Sequence, residues 1–203
     1  MNNWQRWLEA QQSKSTMIVI PKKLGNVDGW IMDPESVRRP DRGFFELIGV
    51  NITAKRELPP WDQPMLKEKG EGSIVLVYSP TKGVLLQAKA EPGNDSLGHM
   101  LLAATLQVSK SNLEAKHGGK KPPRAELITD QTEWVSFCQD GGRYFEKRNN
   151  YAIVTVGTDT DIVPAENERW FKLTEFMQVI TQGFANEHLL QVFALMVARK
   201  MLN

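Results

Sequence analysis

Ser73-Ile74-Val75-Leu76-Val77-Tyr78, then Ser79-Pro80-Thr81-Lys82-Gly83, then Val84-Leu85-Leu86-Gln87-Ala88-Lys89-Ala90 is the run that decides the fold class. Two β-rich segments joined by a short turn of proline and glycine read as a hairpin. After it, Leu97, Leu101, Ala104 and Val108 recur at helical spacing, which predicts a central helix over Leu97 to Glu114. Trp134 to Cys138 and Tyr151 to Val156 read as further strands around a charged turn at Gly141-Gly142. Thr174 opens one helical segment. Asn186 caps another, whose Leu189, Leu190, Phe193, Met196 and Val197 form an apolar stripe. Before the hairpin, Trp4, Trp7 and Leu8 share a helical face, and Ser13 to Thr16 ends that helix. Met17 to Ile20 reads as a short strand or extended piece, Gly25 to Gly43 as loop, and Phe44 to Val50 as a strand. Pro59 to Pro64 holds three prolines in six residues, which excludes a helix interior or a central strand and predicts an irregular segment. Strands on both sides of a central helix, with a helical pair closing the chain, give an α+β order rather than βαβ repeats.

The 203 residues suit one domain, with an N-terminal helix over residues 1–16 and C-terminal helices over residues 172–203. Hydrophobic residues at 41% suffice for a packed core. Twenty-five basic against 24 acidic residues leave a net charge of +1, so no global field draws the chain to nucleic acid or to an anionic membrane. The start is too polar for a signal peptide, and no apolar run approaches the roughly 20 residues that span a bilayer. The lone Cys138 excludes an internal disulfide and reads as a buried structural thiol, in keeping with a cytoplasmic protein.

Three segments carry candidate chemistry. In the first, Lys89 and Glu91 stand two positions apart at a strand end, before the break at Pro92-Gly93. That places a cation and a carboxylate at a pocket mouth, or forms a plain surface ion pair. In the second, Thr105, Gln107, Ser111 and Asn112 offer neutral groups suited to sugar hydroxyls. His117, beside Gly118-Gly119, is placed for proton transfer or simply solvated. In the third, Arg143, Lys147 and Arg148 form the densest basic cluster, which suits a diphosphate or the flank of a hairpin. No dinucleotide fingerprint, P-loop, zinc spacing or nucleophile elbow occurs, so no cofactor or metal is expected.

Taken in order, several segments resemble the NDP-hexose 2,3-dehydratase module. They are Gly43-Phe44-Phe45, Trp61-Asp62-Gln63-Pro64, Gln87 to Asn94, Thr105-Leu106-Gln107, Ser111-Asn112, His117-Gly118-Gly119, Gly142 to Asn149 and Trp170 to Thr174. The resemblance implies a Nudix-like mixed sheet with a central helix. It implies a dTDP-linked 4-keto-6-deoxyhexose as substrate, and loss of water by C3 deprotonation and departure of the C2 hydroxyl. Glu91, His117 and Lys89 are then the expected catalytic groups. Trp61, Gln63, Gln87, Asn94, Thr105, Gln107, Ser111, Asn112, Arg143, Lys147, Arg148 and Asn149 are the expected substrate contacts, with Trp61 alternatively a core residue. The stretch Leu97 to Leu113 lacks any Asp or Glu, which disfavours metal-dependent diphosphate hydrolysis. Ala103-Ala104, Phe137 to Asp140 and Leu66-Lys67-Glu68 depart from the family pattern. The family usually carries two such modules in one chain. A single one implies a homodimer, through the last helix with Trp4 and Trp7, unless that face packs on its own sheet. A nucleotide-sugar-binding module without chemistry, and a keto-sugar epimerase or isomerase, are the alternatives.

Overall fold

The computed structural model describes residues 1–53, 59–115, 122–157 and 162–202. Helix α1 (Asn3–Lys14) comes first. Strands β1 (Ile31–Met32), β2 (Ser36–Arg38), β3 (Glu46–Ile52) and β4 (Trp61–Lys67) then form an antiparallel sheet in that order. The Pro59 to Pro64 segment is therefore less irregular than expected: Pro64 sits in β4, opposite Gly49. An edge strand tolerates this, because proline's missing N–H costs no ladder bond on an open side.

The main sheet holds β5 (Gly72–Ser79), β6 (Gly83–Ala90), β7 (Met100–Ala104), β8 (Leu106–Val108), β9 (Val135–Cys138), β10 (Arg148–Thr155) and β11 (Glu168–Phe171). Among the described strands of this sheet only β10 and β5 run parallel, so the sheet is mixed. The β5–β6 hairpin is as expected. Gly83 closes its turn at φ +91°, where an added Cβ would stand 2.1 Å from the Phe171 carbonyl oxygen. The strands over Trp134 to Cys138 and Tyr151 to Val156 are also present, as β9 and β10.

The central helix is a correction, because Leu97 to Glu114 forms a 3-10 turn (Leu97–His99), β7, β8 and one short α-helical turn, α2 (Lys110–Leu113). Strands β5 and β6 pair directly from Val77–Leu85 to Ser79–Gly83. Beyond that point β7 pairs with β6 and β8 with β5, so the two form a wedge between them. Thr105 stands at its apex. Its hydroxyl donates to the Leu85 carbonyl and accepts from the Val77 N–H at 2.9 Å. Leu102 to Leu106 are all buried, and a strand covered on both faces reads as a continuous apolar run that helical spacing can mimic. The wedge also supplies ladder partners to β5 and β6 where they separate.

Of the two readings of Met17 to Ile20, the strand is not formed: Ile18, Val19 and Ile20 are exposed, and the segment pairs with no sheet. Helices α1, α3 (Leu173–Thr181) and α4 (Glu187–Ala198) cover one face of the main sheet. Trp4, Leu8, Phe176, Val179, Leu189, Val192 and Met196 meet Ile74, Leu76, Val84 and Leu86 there. Trp4, Leu189 and Met196 are thus spent inside the subunit and are not free to pair two copies, whereas Leu190 and Val197 lie on the outer side of α4. Among the described residues no helix is long and apolar enough to cross a membrane.

Candidate active site

At one end of the main sheet a cavity of about 450 Å³ opens between β5, β6, β8, β10 and the first turn of α4. That volume lies within the range of small-ligand sites. Lys89 at the end of β6 and Glu91 just beyond it both line this cavity, with Nζ and Oε1 3.3 Å apart. The carboxylate is held from further sides. Oε1 accepts from Gln107 Nε2 at 2.8 Å, and Oε2 accepts from Asn186 Nδ2 at 3.0 Å. Asn186 also donates to Gln107 Oε1 at 2.8 Å, and its own Oδ1 accepts from the Leu189 N–H at 3.0 Å as the cap of α4. Lys89 Nζ donates to the Gln107 carbonyl at 3.3 Å. A carboxylate tied by three side chains keeps one orientation.

His188, two residues into α4, lines the same cavity and was not singled out in the sequence. The tyrosine hydroxyl of Tyr151 lies 2.8 Å from its Nδ1. Gln139 Nε2 faces three acceptors: the Phe137 carbonyl at 3.3 Å, the Tyr151 oxygen at 3.1 Å and Gln191 Oε1 at 3.5 Å. Gln139 therefore donates to Tyr151, and Tyr151 donates to His188 Nδ1, which leaves the proton of a neutral imidazole on Nε2. Burial pushes the Tyr151 hydroxyl up to about 12, so it remains a donor. Burial also pushes His188 down to about 4, helped by the positive charges of Lys89 and Lys147 and opposed by Glu91. At neutral pH His188 is thus an uncharged donor rather than a cation.

This arrangement carries a pH signature. The depressed value of His188 contributes stability that is complete above its ordinary 6.5 and is lost as pH falls towards about 4. The loss is expected to be on the order of 3 kcal/mol at most. Urea midpoints at pH 7 and pH 4.5 check it: a His188→Asn variant should show a clearly shallower decline than the parent. An identical decline would mean that other groups set the acid limit.

The remaining expected contacts divide. Gln107, Ser111, Asn112, Lys147 and Asn149 line the cavity with Lys89 and Glu91. The Lys147 ammonium is buried, donates to the Gly70 carbonyl at 2.9 Å and pairs with Glu68 at 2.9 Å, which leaves capacity for one further acceptor. Asn149 Oδ1 accepts from the Gly72 N–H at 2.9 Å.

The other expected contacts do not line this cavity. Arg148 alternates with Lys147 and Asn149 along the chain, so it points to the other side, where its guanidinium holds Ser136 at 2.9 and 2.7 Å and Cys138 Sγ at 2.7 Å. Arg143 is 79% exposed and pairs with Asp140. The basic cluster thus contributes only Lys147 to the cavity. Gln87 donates to the Ala104 and Thr105 carbonyls within the wedge, and Thr105 is its apex. Asn94 donates to the His99 carbonyl and braces the turn after Glu91. Trp61 is 39% exposed, so it is not core either; it donates to Gln63, which donates to the Gly142 carbonyl, and neither lines the cavity. Cys138 is exposed rather than buried. His117 lies outside the described residues.

The sequence model of the family described as NDP-hexose 2,3-dehydratase matches residues 1–192. The chain belongs to this family. Curated members include proteins described as dTDP-4-dehydro-6-deoxy-alpha-D-glucopyranose 2,3-dehydratase. The one from Saccharopolyspora spinosa is 26% identical over 86% of this chain and 37% of its own length. Those from Streptomyces violaceoruber and Amycolatopsis orientalis are 29% and 31% identical, over 81% and 77% of this chain and 39% and 36% of their own lengths. The chain therefore spans less than two fifths of these family members. A solved structure of an ADP compounds hydrolase aligns with a TM-score of 0.47 and 13% identity, over 88% of this chain and 98% of the other.

Proposed function

We propose that this chain removes water from a dTDP-linked 4-dehydro-6-deoxyhexose. The observation that carries the reading is a fixed carboxylate, Glu91, in one cavity wall with the ammonium of Lys89 and the neutral imidazole of His188. The C4 ketone of such a sugar acidifies the C3 hydrogen. Glu91 takes that proton, and the electron pair moves onto the C4 oxygen as an enolate. Lys89 and His188 are the donors for that oxygen, and one well-placed donor contributes roughly 10²- to 10³-fold. The enolate then re-forms the ketone as the C2–O bond breaks. Glu91 returns its proton to the departing hydroxyl, so water leaves and the resulting enol becomes a 3,4-diketone. The elimination is redox-neutral, and Gln107, Asn112 and Asn149 are the polar groups available to orient the sugar.

Incubation with dTDP-4-dehydro-6-deoxyglucose tests the proposal. The expected product is lighter by one water. An isomer of unchanged mass would instead identify a keto-sugar epimerase. Binding without conversion would instead identify a nucleotide-sugar-binding module.

A further inference from the structure

The cavity that holds Glu91 is electrically balanced: Lys89 faces Glu91 and Lys147 faces Glu68. It suits an uncharged sugar ring and leaves the anionic linker of a sugar nucleotide without a counterpart. Beside it lies a second cavity of about 380 Å³, and Phe44 and Ser111 line both. The second is lined by three cations, Arg42, Lys69 and Lys110, against one carboxylate, Asp41. Asp41 is already engaged, accepting from the Gly43 N–H at 3.1 Å and lying 3.7 Å from Arg39. Arg42 lies 3.6 Å from Glu46, and among the described residues neither Lys69 nor Lys110 takes part in an ion pair.

Lys110 is directed rather than loose. Gly70, at φ +79°, lets the lysine stem lie across its Cα; a Cβ there would stand 2.6 Å from Lys110 Cδ. The carbonyl of the same glycine holds Lys147 in the first cavity. Gly70 therefore touches one lysine of each cavity, the stem of Lys110 and the ammonium of Lys147.

We infer that the second cavity is a diphosphate subsite, in which Arg42, Lys69 and Lys110 bind the linker of a sugar nucleotide whose hexose occupies the cavity of Glu91. This rests on the reading of the substrate as a nucleotide sugar. Two oxyanions in series call for clustered donors on one side of the ring-binding space, and charge-assisted hydrogen bonds supply them. The assignment replaces Arg143 and Arg148, whose side chains lie away from both cavities.

Titration calorimetry of the full chain with dTDP and with pyrophosphate tests it. The Lys69→Ala/Lys110→Ala variant alters only exposed side chains and is expected to bind dTDP about tenfold more weakly or worse. Arg143→Ala/Arg148→Ala should bind as the parent does, and pyrophosphate should compete with dTDP. Unchanged dTDP affinity in the lysine variant, or no dTDP binding by the parent, overturns the subsite. If the lysine variant loses affinity while the parent dehydrates nothing, the subsite stands and the dehydratase reading falls. If turnover is present and the lysine variant binds dTDP normally, the reverse holds.

Discussion

Replacing Glu91 with glutamine is expected to lower turnover of a dTDP-linked 4-dehydro-6-deoxyhexose by about 10²- to 10⁴-fold, the range for loss of a positioned acid–base group. The KM should move little, because the amide keeps the volume of the carboxylate and the rest of the cavity is untouched. The same variant should stop exchange of the C3 hydrogen with deuterated solvent, which reports proton removal separately from departure of the hydroxyl. A thermal midpoint near that of the parent would show that Gln107 and Asn186 still hold the replaced side chain. Retention of both turnover and exchange would remove Glu91 from the chemistry and transfer attention to His188.

Thr105→Val is expected to cost about 2–4 kcal/mol of unfolding free energy, read from urea denaturation. The two side chains have nearly the same shape, so the change isolates the hydroxyl. Its loss leaves the buried Val77 N–H without an acceptor and removes the donor to the Leu85 carbonyl, at the point where β5 and β6 part. Thr105→Ser keeps the hydroxyl and sheds a methyl group, at about 1 kcal/mol. Equal stability of the two variants would show that packing, not hydrogen bonding, holds the apex.

The frame of the main sheet was legible because its signals are local. The β5–β6 hairpin follows from β-rich runs around a Pro/Gly turn, and the start of α4 follows from Asn186 as a cap. The segment after Glu91 departs from the helical expectation because Leu101 to Ala104 is a continuous apolar run, and in such a run period carries no information. Whether it becomes helix or strand depends on β5 and β6 parting to admit it, a long-range fact. The same limit governs the site. Strand alternation pairs Lys89 with Glu91, and the same alternation into β10 separates Arg148 from Lys147 and Asn149. Charge density alone does not distinguish the three basic residues, of which Lys147 lines the cavity. His188 left a fainter trace: it follows the capping Asn186 by two positions, within the turn that approaches Glu91 and Gln107. Gln139 and Tyr151, which set its tautomer, come from β10 and the residue after β9, and no sequence spacing links them to α4.

Asn186 begins a helix with one atom of its amide and grips the Glu91 carboxylate with the other. Any substitution that reseats α4 on the sheet, at Leu189 or Met196 for example, will therefore be transmitted to the aim of Glu91. Conservative changes deep in the interior of this protein should alter reaction rate before they noticeably alter melting, and a search for faster or slower variants has reason to begin far from the cavity.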